Sequence, residues 1–203
     1  LLLRNRDYWV ISLGTFVRYG IFAAFQTLWA GPYLMEVMGL SAVKTGTLIF
    51  LMNLGIIFGG PTWGGLSDRI LMNRQWIILC CLGALSFVTF SIAMLSPETG
   101  LVALGVLFFG FGLFGSAGPL MYAHIKDLMP IEMAGTAMTG INFFNMIGPA
   151  VFLQGIGSFM QHFYPHASRS PDAFTAALIL CAACLGVTSL LYLFTRENLR
   201  GDR

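Results

Sequence analysis

Six long apolar runs, separated by short polar segments, divide this chain. They cover residues 8–34, 43–65, 75–95, 101–124, 131–160 and 173–194. A helix rises about 1.5 Å per residue, so about 20 apolar residues cross a hydrocarbon core about 30 Å thick. Each run is long enough, and none alternates with the period of two that a barrel strand would show. The pattern predicts an all-α membrane protein, a six-transmembrane-helix bundle.

The segments between the runs have the composition of loops and helix ends. Ser41 is placed to cap the second run, and Pro130 is placed to start the fifth. Serine at an N-cap and proline at a first turn both favour a helix start. We therefore predict that helices begin directly after these two residues.

Composition supports a membrane protein. Hydrophobic residues make up 57% of the chain and charged residues 10%, with a mean hydropathy of +0.78, whereas a soluble domain has about 25% charged residues. A net charge of +2 gives no reason to expect a nucleic-acid partner. The four cysteines lie inside apolar runs, where packing rather than disulfide or metal chemistry is expected. The chain does not begin with Met, and we expect an N-terminal part that precedes it.

The positive charges predict an orientation. Six spans put both termini on one side, and eight Lys and Arg residues fall on that side: Arg4, Arg6, Arg69, Arg74, Lys126, Arg196, Arg200 and Arg203. Only Lys44 and Arg169 fall on the other. Cytoplasmic loops carry the excess of positive charge. Both termini are therefore expected to be cytoplasmic, in the inner (plasma) membrane of a bacterium.

Three spans carry strongly polar residues at similar depth. Arg18 lies about 15 Å into the first span, Asn142 about 16 Å into the fifth, and Asn53 about 14 Å from the opposite side, with Asn145 one turn beyond Asn142. A charge at this depth costs about 2.5–3.5 kcal/mol by insertion scales. These residues predict a shared aqueous cavity. The alternatives are interhelical hydrogen bonds for the asparagines and a structural cation for Arg18.

The helical face through Arg18 adds candidate ligand-binding residues. Phe22, Phe25, Gln26 and Trp29 follow it at three- and four-residue spacing. An amide and aromatic rings beside a cation suit an organic solute with an anionic group. Ordinary helix packing would produce the same stripe.

The fourth span is rich in glycine and can bend, whereas the third and sixth spans contain no strongly polar residue. The fourth span contains Gly105, Gly110, Gly112, Gly115 and Gly118, followed by Pro119. Such glycines permit close helix contact and the proline permits a bend. The same residues include a GxGxxG pattern, but a nucleotide site would need it between a strand and a helix. The third and sixth spans contain only weakly polar residues and are expected to face lipid.

The loop after the second span resembles a known signature. Residues 64–74 are similar to G-x-L-x-D-R-x-G-R-R of the major facilitator superfamily, with matches at Gly64, Leu66, Asp68 and Arg69. Leu71 replaces the next glycine, and only Arg74 remains of the basic pair. Residues 134–148 resemble the eleventh helix of that family. A plain charged turn remains the alternative for the loop.

The resemblance implies an architecture and a function. It implies that residues 1–203 are the C-terminal six-helix half, helices seven to twelve, of a sugar-phosphate permease-like transporter whose N-terminal half is absent from this chain. Substrate would bind near the midplane. The first, second, fourth and fifth spans would be the inner helices, and the third and sixth the outer ones.

The expected function is alternating-access transport of a small polar or anionic organic solute, by symport, antiport or exchange. The expected substrate-binding residues are Arg18, Phe22, Gln26, Trp29, Asn53, Asn142 and Asn145, and the expected gating residues are Gly64, Asp68, Arg69, Gly118 and Pro119. Partners would be the solute, the lipid bilayer, and either the missing N-terminal half or a second copy. No Asp or Glu lies deep in a span, so a proton-coupled carrier would need a carboxylate from the other half. Multidrug or metabolite efflux by proton antiport and a non-transporting assembly module remain alternatives.

An enzyme is not expected. The spans contain no HExxH motif, paired carboxylates or Ser–His arrangement at depth, and no cofactor or metal is predicted. His124, His162 and His166 fall near helix ends or in a loop. We interpret all three as interfacial residues.

Overall fold

The six predicted spans form six long helices in a computed structural model that describes residues 2–67 and 73–196. They are α1 (Arg6–Val37), α2 (Ala42–Leu66), α3 (Arg74–Ala93), α4 (Leu101–Leu128), α5 (Ile131–Phe163) and α6 (Pro171–Tyr192), each long and apolar enough to cross a membrane. A short 3₁₀ turn, Leu2–Arg4, precedes α1. The described residues contain no strand. The predicted fold class is confirmed, and the helix ends lie within about one turn of the predicted ones.

The helix starts follow the predicted capping chemistry. The Ser41 side chain accepts a hydrogen bond from the Lys44 backbone N–H at 3.5 Å. Helix α5 begins directly after Pro130, as predicted. Asn73 caps α3 in the same way by accepting from the Trp76 backbone N–H at 3.3 Å. These bonds satisfy donors that a helix start leaves without partners.

Two of the helices are interrupted. In α1, regular helix over Arg6–Ala24 gives way to π-helical turns at Phe25–Trp29 and Tyr33–Val37, with Ala30–Pro32 between them. In α4, the segments Leu101–Gly115 and Gly118–Leu128 are separated by one irregular turn. Isolated π-helical turns often occur at functional sites. The sequence predicted the bend in α4 but not the π-helical turns.

The helices pack mainly as three pairs, α1 with α5, α2 with α4, and α3 with α6. Glycine makes the first crossing possible, because a Cβ on Gly20 would lie 2.9 Å from the Gly148 carbonyl. The α2–α4 crossing is equally close, because a Cβ on Gly112 would overlap the Met52 carbonyl oxygen. The apolar α3–α6 pair packs mainly against α4 and α1.

Helices α2 and α5 leave broad faces uncovered. Only 28% of the residues in the most apolar stretch of α2 and 22% in that of α5 are buried, compared with 72% in α1. Phe50 and Ile57 on α2 and Phe143 and Met146 on α5 are among the exposed side chains. The bundle therefore has an open side formed by these two helices.

A polar network ties the helix ends together where the start of α1 meets the residues that follow α6. His124 is only 2% exposed. Its Nδ1 lies 2.8 Å from the Tyr192 hydroxyl oxygen and its Nε2 lies 3.1 Å from the Arg196 carbonyl oxygen. Asp7, also buried, accepts from the Arg196 backbone N–H at 3.1 Å. Gln75 donates to the Thr195 carbonyl at 2.8 Å.

The interfacial interpretation of His124 was therefore wrong, while His162 and His166 are exposed. The reason is tertiary. The segment that follows α6 folds back over the end of α4 and covers the imidazole ring.

Candidate functional site

Arg18 is a buried cation in the middle of the bundle. It lies on α1, about 18 Å from the start of that helix, and only 5% of the residue is exposed. Its Nη1 donates to the Gly115 carbonyl at 2.5 Å. Its Nε has no hydrogen-bond partner among the described residues. No carboxylate in the described part of the chain forms an ion pair with it.

Two glycines of α4 make room for this cation and its neighbour. A Cβ on Gly118 would lie 2.6 Å from Nη2 of Arg18 and 3.1 Å from its Cζ. A Cβ on Gly115 would lie 2.6 Å from Cε2 of Phe22. Any larger residue at either position would displace the side chain that it faces.

The guanidinium lines a cavity of about 590 Å³. The lining comes from four helices and consists of Arg18, Tyr19, Phe22, Ile56, Gly60, Gly115, Ser116, Gly118, Pro119, Tyr122, Met138 and Asn145. Neither α3 nor α6 contributes. A volume of about 300–1,000 Å³ is usual for small-molecule sites. The space therefore suits a small organic molecule.

The cavity presents one cation, one amide and aromatic rings. The Asn145 side chain is buried, and its Oδ1 lacks a hydrogen-bond partner among residues 2–67 and 73–196. Phe22 stacks on Phe111, with ring centroids 5.3 Å apart. The Tyr19 ring centroid lies 5.7 Å from the Arg18 Cζ.

Gln26 and Asn53 lie together but apart from Arg18. Gln26 donates from Nε2 to Asn53 Oδ1 at 2.8 Å, and Asn53 donates from Nδ2 to the Ile49 carbonyl at 2.8 Å. Gln26 is two turns beyond Arg18, about 12 Å along α1. The two amides hold α1 against α2.

Asn142 contacts the site through a tyrosine. The Tyr122 hydroxyl, on a residue that lines the cavity, donates to Asn142 Oδ1 at 2.9 Å. This bond joins α4 to α5. Asn142 itself is exposed on the open side of the bundle.

Trp29 lies far from Arg18. It is about 16 Å further along α1, with its ring centroid 6.1 Å from that of Phe174. It lines a separate cavity of about 310 Å³ near the other end of the bundle.

The expected gating residues are divided. Gly118 and Pro119 line the central cavity. Gly64 lies near the end of α2 with open space around its Cα. Asp68 and Arg69 lie outside the described residues.

Sequence reasoning missed several cavity residues, among them Tyr19, Ser116 and Tyr122. Tyr122 follows Gly118 by four residues and so lies on the same helical face. That spacing was the available signal. Within the described ranges no group of three His, Cys, Asp or Glu residues could hold a metal ion.

A six-helix membrane bundle with a central cavity lined by its first, second, fourth and fifth helices is the architecture expected of one half of a transporter. A sequence profile of the Major Facilitator Superfamily matches residues 1–153. The chain belongs to that superfamily, and the resemblance noted in the sequence is confirmed.

Several relatives and one solved structure are similar to the chain. An uncharacterized protein of Archaeoglobus fulgidus is 30% identical over 97% of this chain and 82% of that protein. A gallate transporter of Pseudomonas putida is 30% identical over 68% of this chain and 32% of that protein. A probable hexose phosphate transport protein of Chlamydia muridarum is 29% identical over 89% of this chain and 39% of that protein.

The fold is similar to that of the xylose transporter XylE from E. coli in its inward-open conformation. The TM-score is 0.69 at 16% identity, covering 95% of this chain and 48% of the transporter. This chain therefore spans about half of the xylose transporter and about two fifths or less of the two relatives named as transport proteins.

Proposed function

We propose that this chain is the C-terminal half of a secondary transporter that moves a small hydroxylated organic anion by alternating access. The observation that carries the proposal is Arg18, a buried guanidinium without a carboxylate partner in the described residues, on the wall of a cavity of about 590 Å³.

The geometry of Arg18 favours an anionic group on the solute. A guanidinium has five N–H donors in a planar fork. One of its nitrogens donates to the Gly115 carbonyl and Nε has no partner in the described chain. Carboxylate and phosphate groups match the fork and supply the missing negative charge. The same positive charge makes cationic drugs unfavourable cargo.

Asn145 favours a hydroxyl group on the same solute. Its Oδ1 is a buried acceptor that has no donor among the described residues. A solute hydroxyl would supply one. Hexose phosphate and gallate, in the names of the relatives, each combine an acidic group with hydroxyl groups. This agreement supports the proposed solute class.

The complete transporter requires a second six-helix unit. The open faces of α2 and α5 flank the cavity, and 48% of the xylose transporter is covered. We propose the N-terminal half of the same transporter as this unit, with a second copy of the chain as the alternative. Both termini would be cytoplasmic, in a bacterial inner membrane, and Asp68 and Arg69 would belong to the cytoplasmic gate.

A proton-coupled mechanism would draw its carboxylate from the second unit. Among the described residues, no Asp or Glu lines the central cavity. Anion exchange and symport need no carboxylate here. Gln26 and Asn53 would keep α1 and α2 together during the movement.

The test is binding of glucose 6-phosphate, gallate and glucose to the reconstituted protein in lipid nanodiscs, followed by uptake into proteoliposomes that contain both six-helix units. Arg18→Gln should weaken binding of both anions by about 10- to 100-fold, since hydrogen bonds to charged groups contribute about 1.5–3 kcal/mol. Arg4→Gln, at an exposed arginine, is the matched control and should bind as the unmodified protein does. Equal anion binding by the Arg18→Gln protein would refute the proposal.

A further inference from the structure

A second polar cavity lies at the end of the bundle opposite the start of α1. It has a volume of about 310 Å³ and lies between α1, α5 and the loop that joins α5 to α6. Its polar lining consists of Trp29, Gln154, Ser158, Gln161, Ser168 and Arg169. We call it the outer site. None of these residues lines the central cavity or belongs to the proposed gate. The sequence analysis had expected only Trp29 among them to bind substrate.

Part of this polar surface lies at membrane depth. Helix α5 is about 50 Å long and Gln154 is only about 10 Å from its middle. Gln154 and Ser158 are both exposed. The Gln154 amide reaches Ser158 Oγ at 3.5 Å. An exposed amide is unfavourable against lipid at this depth, so this face of α5 meets water, a polar ligand or the proposed second six-helix unit.

Trp29 supplies a donor without a partner. Its indole Nε1 is buried and has no hydrogen-bond partner in the described part of the chain. The ring is fixed on two sides. A Cβ on Gly157 would lie 3.2 Å from Cζ2 of the indole, and the Phe174 ring meets it edge-on. A rigid indole beside amide and hydroxyl groups is an amphipathic surface.

Among the described residues that line the outer site, Arg169 carries the one charge, and it forms an exposed ion pair. Arg169 Nη1 lies 2.9 Å from Glu36 Oε1, and this ion pair joins the end of α1 to the α5–α6 loop. The remaining polar groups are neutral amides, hydroxyls and an indole N–H. The outer site therefore suits the hydrogen-bonding groups of a solute, whereas the central cavity suits its negative charge.

The central cavity and the outer site both lie between α1 and α5. Trp29 is about 16 Å from Arg18 along α1, and Gln154 is about 14 Å from Asn145 along α5. The close contact of Gly20 with Gly148 lies between them. A solute that enters from this end meets the outer site first.

We propose that the outer site binds the uncharged, hydroxyl-rich part of a solute before the solute reaches Arg18. The position of the outer site on a transport route rests on the proposed function. The chemistry of binding at the outer site does not. The outer site should accept a neutral polyol and its phosphate ester equally, and it should ignore inorganic phosphate.

Trp29 fluorescence provides the test, in nanodiscs free of glycosidic detergent. In a protein with Trp9, Trp63 and Trp76 replaced by Phe, glucose and glucose 6-phosphate should each change Trp29 emission saturably, with affinities within about threefold. Inorganic phosphate should not. Gln154→Ala combined with Gln161→Ala should weaken both responses at least fivefold. Ser158→Ala should weaken them, and its control Ser91→Ala, at a half-buried serine of α3, should not.

Arg18→Gln separates this proposal from the proposed function. It should leave the Trp29 response to glucose within twofold, even if anion binding is lost. Loss of that response would show that Trp29 reports on the central cavity, and the outer site would be refuted. If the three Phe substitutions prevent folding, calorimetric titration of the unmodified protein with glucose replaces fluorescence. Absence of glucose binding, or binding unaffected by the double glutamine substitution, would then refute the outer site.

Discussion

The Gly115 carbonyl accepts from Arg18 where a regular helix would offer it the backbone N–H of residue 119. That residue is Pro119, which has no N–H. The proline therefore leaves a carbonyl at membrane depth without its helical partner, and the guanidinium supplies the donor. Two features that the sequence analysis treated separately, a buried cation and a bendable helix, are parts of one interaction.

Pro119→Ala should weaken this interaction. An alanine N–H at residue 119 would compete with Arg18 for the Gly115 carbonyl. We expect anion binding to fall by about three- to tenfold while the thermal stability is about the same, since Pro119 lies in the first turn of Gly118–Leu128, where proline is tolerated. Binding and thermal unfolding of the same preparation provide the measurements. Pro61→Ala, inside α2, is the control, and an equal loss of binding there would contradict this explanation.

Gly118→Ala should displace the guanidinium. Its Cβ would lie 2.6 Å from Nη2 of Arg18, and such overpacking costs about 1–3 kcal/mol. We expect anion binding to fall at least tenfold. In Gly110→Ala, on the same helix, the new Cβ has its nearest neighbour at 3.7 Å, so binding should stay within twofold. Similar affinities for the two variants would exclude this role of Gly118.

Asn145→Ala should separate hydroxyl recognition from charge recognition. Removal of its Oδ1 takes away one acceptor but leaves the cation. The affinity for glucose 6-phosphate should fall by about 3- to 10-fold, the size of one neutral hydrogen bond, while that for inorganic phosphate should be unchanged. Competition binding with both anions measures the ratio. An equal fall for both anions would assign Asn145 a structural role instead.

Tyr122→Phe and Asn142→Ala should have non-additive effects on the free energy of unfolding. Their hydrogen bond of 2.9 Å joins α4 to α5, so either substitution removes it and the second adds little. A double-mutant cycle on the free energy of unfolding should give a coupling of about 0.5–1.5 kcal/mol. Additive effects would mean that the bond does not hold these helices together.

Tyr192→Phe should destabilise the end of the bundle near the termini. The Arg196 carbonyl can only accept, so His124 Nε2 carries the hydrogen and Nδ1 of the neutral ring accepts from the Tyr192 hydroxyl. Removal of that hydroxyl leaves a buried acceptor unsatisfied, at a cost of about 1–3 kcal/mol. Thermal unfolding should reveal the loss, and Tyr164→Phe, at a half-buried tyrosine, is the control. Equal stability of the two variants would contradict the assignment.

The sequence predicted the spans and the polar helices because both depend on local properties. Apolar length and Pro130 defined where α5 begins, and Arg18 identified α1 as a polar helix. The distance of Trp29 from Arg18, about 16 Å along α1, follows from helix rise, but the sequence reasoning used only the shared helical face. The π-helical turn at Phe25–Trp29 has more residues per turn and moves the later side chains off that face.

The roles of the amides were also beyond the sequence. Asn53, Asn142 and Asn145 look alike as polar residues at one depth. Their surroundings differ because Gln26 and Tyr122, on other helices, reach two of them. Such pairings depend on how helices are placed against one another, which no local pattern encodes.

The contact between Gly20 and Gly148 has a mechanical consequence. The two backbones touch where neither residue has a side chain, with a Cβ on Gly148 reaching 2.5 Å from the Phe16 carbonyl oxygen. The helices cannot come closer there, so any change in the angle between them would turn about this contact. Widening the groove between α1 and α5 beside Arg18 would then narrow it beside Trp29, so the two ends of the groove would open in turn.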